Sequence, residues 1–224
     1  MDRVQTLLKR IKDKRSKQVV FLSHCILNEN TRYLGGACTG CFVPEIMDSV
    51  FKNNLGVVQM PCPEQHAWGG VNKRMLLLAY GAKGTILYNF RYIIIPALLL
   101  YTRVIYRWIA RKKAREIQDY INSGYSVTAI VGIDGSPSCG VNTTLDFWKA
   151  FEVLAEINVN SVTLEDANAV VTKCLTDGQG LFTIALQDEL RKRHISIPYL
   201  AHDLIAEIKG NKSDLGFPSQ TFLR

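Results

Sequence analysis

Two kinds of apolar pattern alternate along the chain. Short, mostly apolar runs at residues 18–23 (Gln-Val-Val-Phe-Leu-Ser), 56–60 and 127–133 have the length of strands, and the last has the β-branched content of a buried parallel strand. Elsewhere apolar residues recur every three or four positions, as one face of a helix requires. That spacing predicts helices over residues 2–14, 44–53, 145–157, 165–176, 181–193 and 201–209, with further strands over 160–164 and 195–200. Pro44 opens one helix, with Glu45 in its first turn where an acidic side chain favours the amino end.

The region before the central strand reads differently. Residues 67–83 are a glycine-rich loop followed by an apolar stretch, and Pro96 is placed as the first residue of a long helix reaching Asn122, with Gly124 as its stop. Leu98, Tyr101, Ile105, Trp108, Ile117 and Ile121 supply its apolar face, and Arg107, Arg111, Lys112 and Arg115 the other. The uncharged run between Arg91 and Arg103 is interrupted by Pro96 and falls short of the roughly 20 residues of a span, so no transmembrane segment is expected. A membrane-surface helix is the lesser alternative to core packing. Alternating strands and helices predict an α/β fold: an open, mostly parallel, Rossmann-like sheet with helices on both faces. It would be a single domain over residues 1–210, with an enlarged basic helical insertion near 73–124 and a loose tail over 211–224.

Composition narrows the class. In 224 residues, 47% hydrophobic and 21% charged content describe a globule with a full core, excluding disordered or fibrous chains. The net charge of +7 is concentrated: residues 65–115 hold ten Lys and Arg and no acid, a block suited to nucleic acid, anionic lipid or an acidic substrate, or to a solvated face. The amino-terminal residues are amphipathic and basic without the apolar core of a secretory signal, so a cytoplasmic location and reduced thiols are expected for the six cysteines.

Those cysteines carry the chemistry. The strand ending near Ile133 is broken by Asp134-Gly135-Ser136-Pro137, which places Cys139 in a tight loop at a strand's carboxyl end, where open sheets hold ligands. Cys25 follows the first strand and Cys62, in the rigid turn Pro61-Cys62-Pro63-Glu64, follows the second. A zinc site is the rival arrangement, because Cys38-x-x-Cys41 has the spacing of a ligand pair that Cys25 or Cys62 would complete. An iron–sulfur cluster also takes cysteine ligands, and three of them leave one iron open to a substrate atom.

Three segments, Ser23-x-Cys25-Ile26-Leu27-Asn28 with Arg32-Tyr33, Pro61-Cys62-Pro63-Glu64, and Ser136-Pro137-Ser138-Cys139-Gly140, resemble the signatures of the thiouracil desulfidase family. The resemblance covers residues 19–64 and 127–140, and more loosely 178–200. It implies a 4Fe–4S cluster held by Cys25, Cys62 and Cys139, and a small thiolated substrate such as a nucleobase. It further implies Glu64 as general base, with Ser136 and Ser138 orienting substrate or proton transfer. The chain departs from the family after Cys-Pro-Glu, where it reads Gln65-His66-Ala67-Trp68-Gly69-Gly70, and at His24, where a small residue is usual. His66 and Trp68 are candidates to line the pocket, or else an exposed histidine and a packed aromatic. Two other readings stay open: sulfur transfer on tRNA, which the basic block would suit, and a zinc-stabilised nucleic-acid-binding module built on Cys25, Cys38, Cys41 and Cys62.

Overall fold

The computed structural model describes residues 3–11, 14–33, 35–158, 160–211 and 215–217. Its first half contains α1 (Arg3–Ile11), β1 (Gln18–Leu22), α2 (His24–Leu27), α3 (Pro44–Lys52), β2 (Gly56–Gln59), α4 (Pro63–Ala67), α5 (Arg74–Ala79), α6 (Ile86–Asn89) and α7 (Arg91–Asn122). The second half contains β3 (Ser126–Asp134), β4 (Thr143–Leu145), α8 (Phe147–Ala155), α9 (Leu164–Lys173), β5 (Leu175–Asp177), α10 (Leu181–Arg191), β6 (Tyr199–Asp203) and α11 (Leu204–Ile208). The expected α/β architecture is present. Four strands pair in parallel in the order β2-β1-β3-β6, and β4 and β5 form a separate antiparallel ladder.

The strand order determines where a ligand would sit. From β1 the chain goes to β2 on one side, then crosses to β3 on the other, so its direction of winding reverses between β1 and β3. The loops leaving the two strand ends diverge there and open a crevice.

Both faces of the inner strands β1 and β3 are covered, which explains their mostly apolar runs, whereas β2 at the edge is largely exposed. Val19, Phe21 and Ile130 join α7 and α10 in one core, whereas Val20, Leu22, Val131 and Ile133 pack with Ile26, Ile46 and Val50 in the other. Leu215 closes the second core, so this part of the expected loose tail is docked.

Several boundaries differ from the sequence reading. The turn at Pro61–Glu64 becomes helical at Pro63, because proline's fixed φ suits the first helical position. Residues 160–163 are not a strand: Thr163 accepts from the Asp166 amide while the Asp166 side chain accepts from the Thr163 amide, a capping box that starts α9. The last strand begins at Tyr199 rather than at residue 195, with Pro198 contributing only its carbonyl to Ile130.

The largest difference is α7. Helix continues through Pro96 from Arg91, giving 32 residues, so by length and composition this one helix could cross a membrane. Only 28% of its most apolar window is buried. The buried side is Ile95, Leu98, Thr102, Tyr106, Ile109, Lys113 and Ile117; Tyr101, Trp108 and Ile121, expected inside, are exposed. Gly124, at φ 80°, ends the helix as expected.

Candidate functional site

The loop after β3 is built by its own hydrogen bonds. Asp134 Oδ1 accepts from the amides of Val141, Asn142 and Thr143 at 2.9, 2.8 and 3.3 Å, folding residues 135–143 back over the strand end. Ser136 Oγ accepts from the Ser138 and Cys139 amides at 3.3 and 3.1 Å. The Ser138 carbonyl in turn accepts from Phe182 and Thr183 in the first turn of α10. Two glycines permit this crowding: a Cβ at Gly140 would collide with the Thr143 carbonyl, and one at Gly180 with the Ser138 carbonyl. The result is Cys139 buried directly above the strand, its carbonyl accepting from Ile133.

Cys25 sits in the short α2 beyond β1, and Cys62 immediately precedes α4 beyond β2. The Arg32 guanidinium steadies the first, donating to the Cys25 carbonyl at 3.3 Å and to Glu207 at 2.9 Å, with His202 on the same carboxylate at 2.6 Å. The three thiols are electrostatic neighbours. Burial first, then Cys62, pushes the Cys25 thiol up to about 12. Burial and Glu64 push Cys62 up to about 11, and Cys139 is raised by burial, then by Cys25 and Cys62. With these thiols unligated, stability should be fully present below pH about 9 and fall as pH rises toward 11 to 12, because the unfolded chain then loses protons that the folded chain keeps. A chemical-denaturation series from pH 7 to 11 on metal-stripped protein measures this.

Glu64 and Ser138 meet beside these cysteines. Ser138 Oγ donates to Glu64 Oε1 at 2.7 Å and stands 3.1 Å from Ser136 Oγ and 3.7 Å from Cys139 Sγ. The other carboxylate oxygen of Glu64 pairs with Lys73 Nζ at 2.5 Å. Burial opposes the Lys73 charge, but Glu64 outweighs it and holds the ammonium group protonated. Lys73 reaches this position from the turn made by Gly69 and Gly70 and occupies the left-handed region itself, at φ 49°.

The structure thus brings Cys25, Cys62, Cys139, Glu64, Ser136 and Ser138 to one edge of the sheet, while Cys38 and Cys41 lie exposed in a turn whose amides bind Glu29. Trp68 is packed, its indole N–H donating to Thr102 at 2.9 Å. His66 is exposed and lines a cavity of about 420 Å³ with Gln59, Pro61, Trp108 and Lys112, opening next to Cys62.

Sequence reasoning missed Lys73 and Tyr106. The paired glycines that turn Lys73 back toward Glu64 were a usable signal. No local signal marks Tyr106, because α7 carries apolar residues on more than one side.

Among the described residues, no three His, Cys, Asp or Glu side chains converge tightly enough to hold a single metal ion. A one-ion site needs every ligand within about 2.0–2.3 Å of one point, whereas a cluster takes its thiolates on separate irons. The buried Cys62 and Cys139, the half-buried Cys25 and the cationic Lys73 and Arg32 nearby are a donor set compatible with such a cluster.

No family model matches the chain, and no solved structure matches it. It is similar to an uncharacterised protein of Methanocaldococcus jannaschii, 39% identical over 51 residues, which are 22% of this chain and 32% of that protein.

Proposed function

We propose that the protein is an iron–sulfur-dependent desulfidase that hydrolyses the thiocarbonyl of a thiolated nucleobase or similar small compound. The observation that carries this reading is the placement of Cys25, Cys62 and Cys139 beyond three adjacent parallel strands, with Glu64 and Ser138 hydrogen-bonded beside them. Those three cysteines would hold a 4Fe–4S cluster. When bound, the cluster supplies a Lewis-acidic iron for the substrate's sulfur. The remaining work belongs to the protein. Glu64 Oε2 or Oε1 takes a proton from water as its oxygen bonds to the thiocarbonyl carbon. The carbon–sulfur bond then breaks, the proton left on the added oxygen passes to sulfur, which leaves as hydrosulfide, the carbon carries a carbonyl, and Glu64 releases its proton to solvent. No electrons are gained or lost, so no reductant is required. Ser138 orients the carboxylate through one oxygen and Lys73 pairs with the other, while Ser136 positions Ser138 through the loop amides. Burial of the site excludes bulk water that would weaken these interactions.

Anaerobic purification followed by metal analysis and incubation with 4-thiouracil tests the reading. A brown protein containing iron and releasing sulfide supports it. A colourless zinc protein would instead support the nucleic-acid-binding module.

A second reading, sulfur removal from or transfer to tRNA, is favoured by the exposed Arg103, Arg107, Arg111, Lys112 and Arg115 along α7. If α7 binds an extended polyanion, tRNA affinity measured by filter binding should fall steeply as salt is raised, since each neutralised phosphate releases counterion. Turnover of a free base should change little over the same range. Absence of tRNA binding at low salt removes this reading.

A further inference from the structure

Helix α7 is apolar on two sides, and only one of them is covered. The inner side, through Leu98, Tyr106, Ile109 and Ile117, belongs to the core shared with β1 and α10. The opposite side carries Ile93, Leu100, Val104 and Trp108, three to seven residues apart and each between 51% and 67% exposed. Ile86 and Phe90, just before α7, are exposed as well. Scattered exposed apolar residues need no explanation, but a run of them along one helix face marks an interaction surface.

The same side changes character further along. From its fifth turn it carries the exposed cations Arg107, Arg111, Lys112 and Arg115. Lys112 Nζ lies 3.7 Å from the centre of the Trp108 ring, at the junction of the two halves. Arg111 approaches Glu189 at 4.0 Å, whereas Arg107 and Arg115 form no ion pair with another described residue. Residues 65–115 contain no acid to neutralise them.

We infer that this outer side of α7 docks on an anionic lipid bilayer, with the helix lying on the membrane surface. The aliphatic side chains enter the boundary between headgroups and acyl chains, Trp108 sits at that boundary, and the cations meet lipid phosphates. Crossing the bilayer is disfavoured, because a span would draw Ile95, Leu98 and Thr102 out of the core, and Thr102 accepts from the Trp68 indole at 2.9 Å. Nucleic acid would satisfy the cations, but it binds exposed aromatic rings rather than the aliphatic Ile93, Leu100 and Val104. A second copy paired side to side would cover the aliphatic residues, yet it sets the cations against a stretch without carboxylates.

Flotation of the full chain with phosphatidylcholine vesicles, with and without about a third phosphatidylglycerol, tests this surface at low salt. The protein should float with the anionic vesicles and far less with the neutral ones. Leu100→Glu with Val104→Glu should weaken that binding more than about tenfold, since two aliphatic side chains no longer leave water. Arg107→Gln with Arg115→Gln should weaken it about fivefold per cation removed. All four positions are exposed, and each pair tests the surface without the other should one variant fail to fold. Equal flotation with neutral vesicles, or anionic binding that both variants retain, overturns the inference. So does a protein that binds tRNA but no vesicles, or a wild-type dimer that Leu100→Glu with Val104→Glu converts to monomer. Bound protein that resists alkaline carbonate extraction would show a span and overturn the surface orientation.

Discussion

For the proposed desulfidase, Glu64→Gln is expected to bind iron as the wild type does and to lose about 100- to 10,000-fold in turnover, the range associated with removing a general base. The amide retains an oxygen for the Ser138 hydroxyl, which donates to Glu64 at 2.7 Å in the wild type. It does not accept a proton at neutral pH, so water is no longer activated. The substitution also leaves Lys73 without its carboxylate, and a buried charge that loses its partner destabilises by about 3–5 kcal/mol when fully enclosed. Lys73 retains a little exposure, so the cost should fall below that range. The double variant Glu64→Gln with Lys73→Met removes both charges and should recover most of the lost stability without recovering turnover. Melting curves and sulfide release measured on the same preparations separate the two effects. A Glu64→Gln protein with ordinary turnover would make this carboxylate a partner for Lys73 and nothing more.

Replacing Cys25, Cys62 or Cys139 by Ser is expected to abolish or sharply reduce bound iron, because a hydroxyl is a harder and far less acidic ligand than a thiol. Each change is nearly isosteric, so the sheet and its loops should survive, and circular dichroism should remain close to wild type. Cys38→Ser, Cys41→Ser and Cys174→Ser should leave iron nearly intact. Cys38 and Cys41 occupy the exposed turn held by Glu29, and Cys174 is buried with Ala150 and Val170 beneath the short antiparallel ladder. Complete loss of iron in Cys38→Ser with none in Cys139→Ser would reverse the assignment and favour zinc-type ligation through the Cys-x-x-Cys pair.

Much of the α/β framework was legible in the chain itself. Residues 19–22 and 129–133 carry no polar side chain because both faces of a central parallel strand are buried, and that condition leaves a local record. The break after β3 was equally local, since Asp134, Gly135 and Pro137 end a ladder by their own backbone chemistry. Cys25, Cys62 and Cys139 could therefore be placed just beyond strand ends before any long-range contact was known.

What only the tertiary structure decided depends on which neighbour arrives. Helix α7 is apolar on more than one side, and periodicity does not distinguish the stripe through Tyr101 and Trp108 from the adjacent one through Thr102 and Tyr106. Trp68 and Phe182 select the second by packing on Tyr106, with Trp68 also bonding Thr102. Pro96 was a sound local signal for a helix start, yet the helix begins at Arg91, because proline's missing N–H removes one bond from a helix that tertiary contacts otherwise support. The pairing of Lys73 with Glu64 required the Gly69-Gly70 turn to reverse the chain, a geometry that φ values set and residue spacing does not. The chain by itself determined its strands and where its cysteines follow them; the packing of α4, α7 and α10 over the strand ends decided which polar side chains share the site, because those contacts are made between segments far apart in sequence.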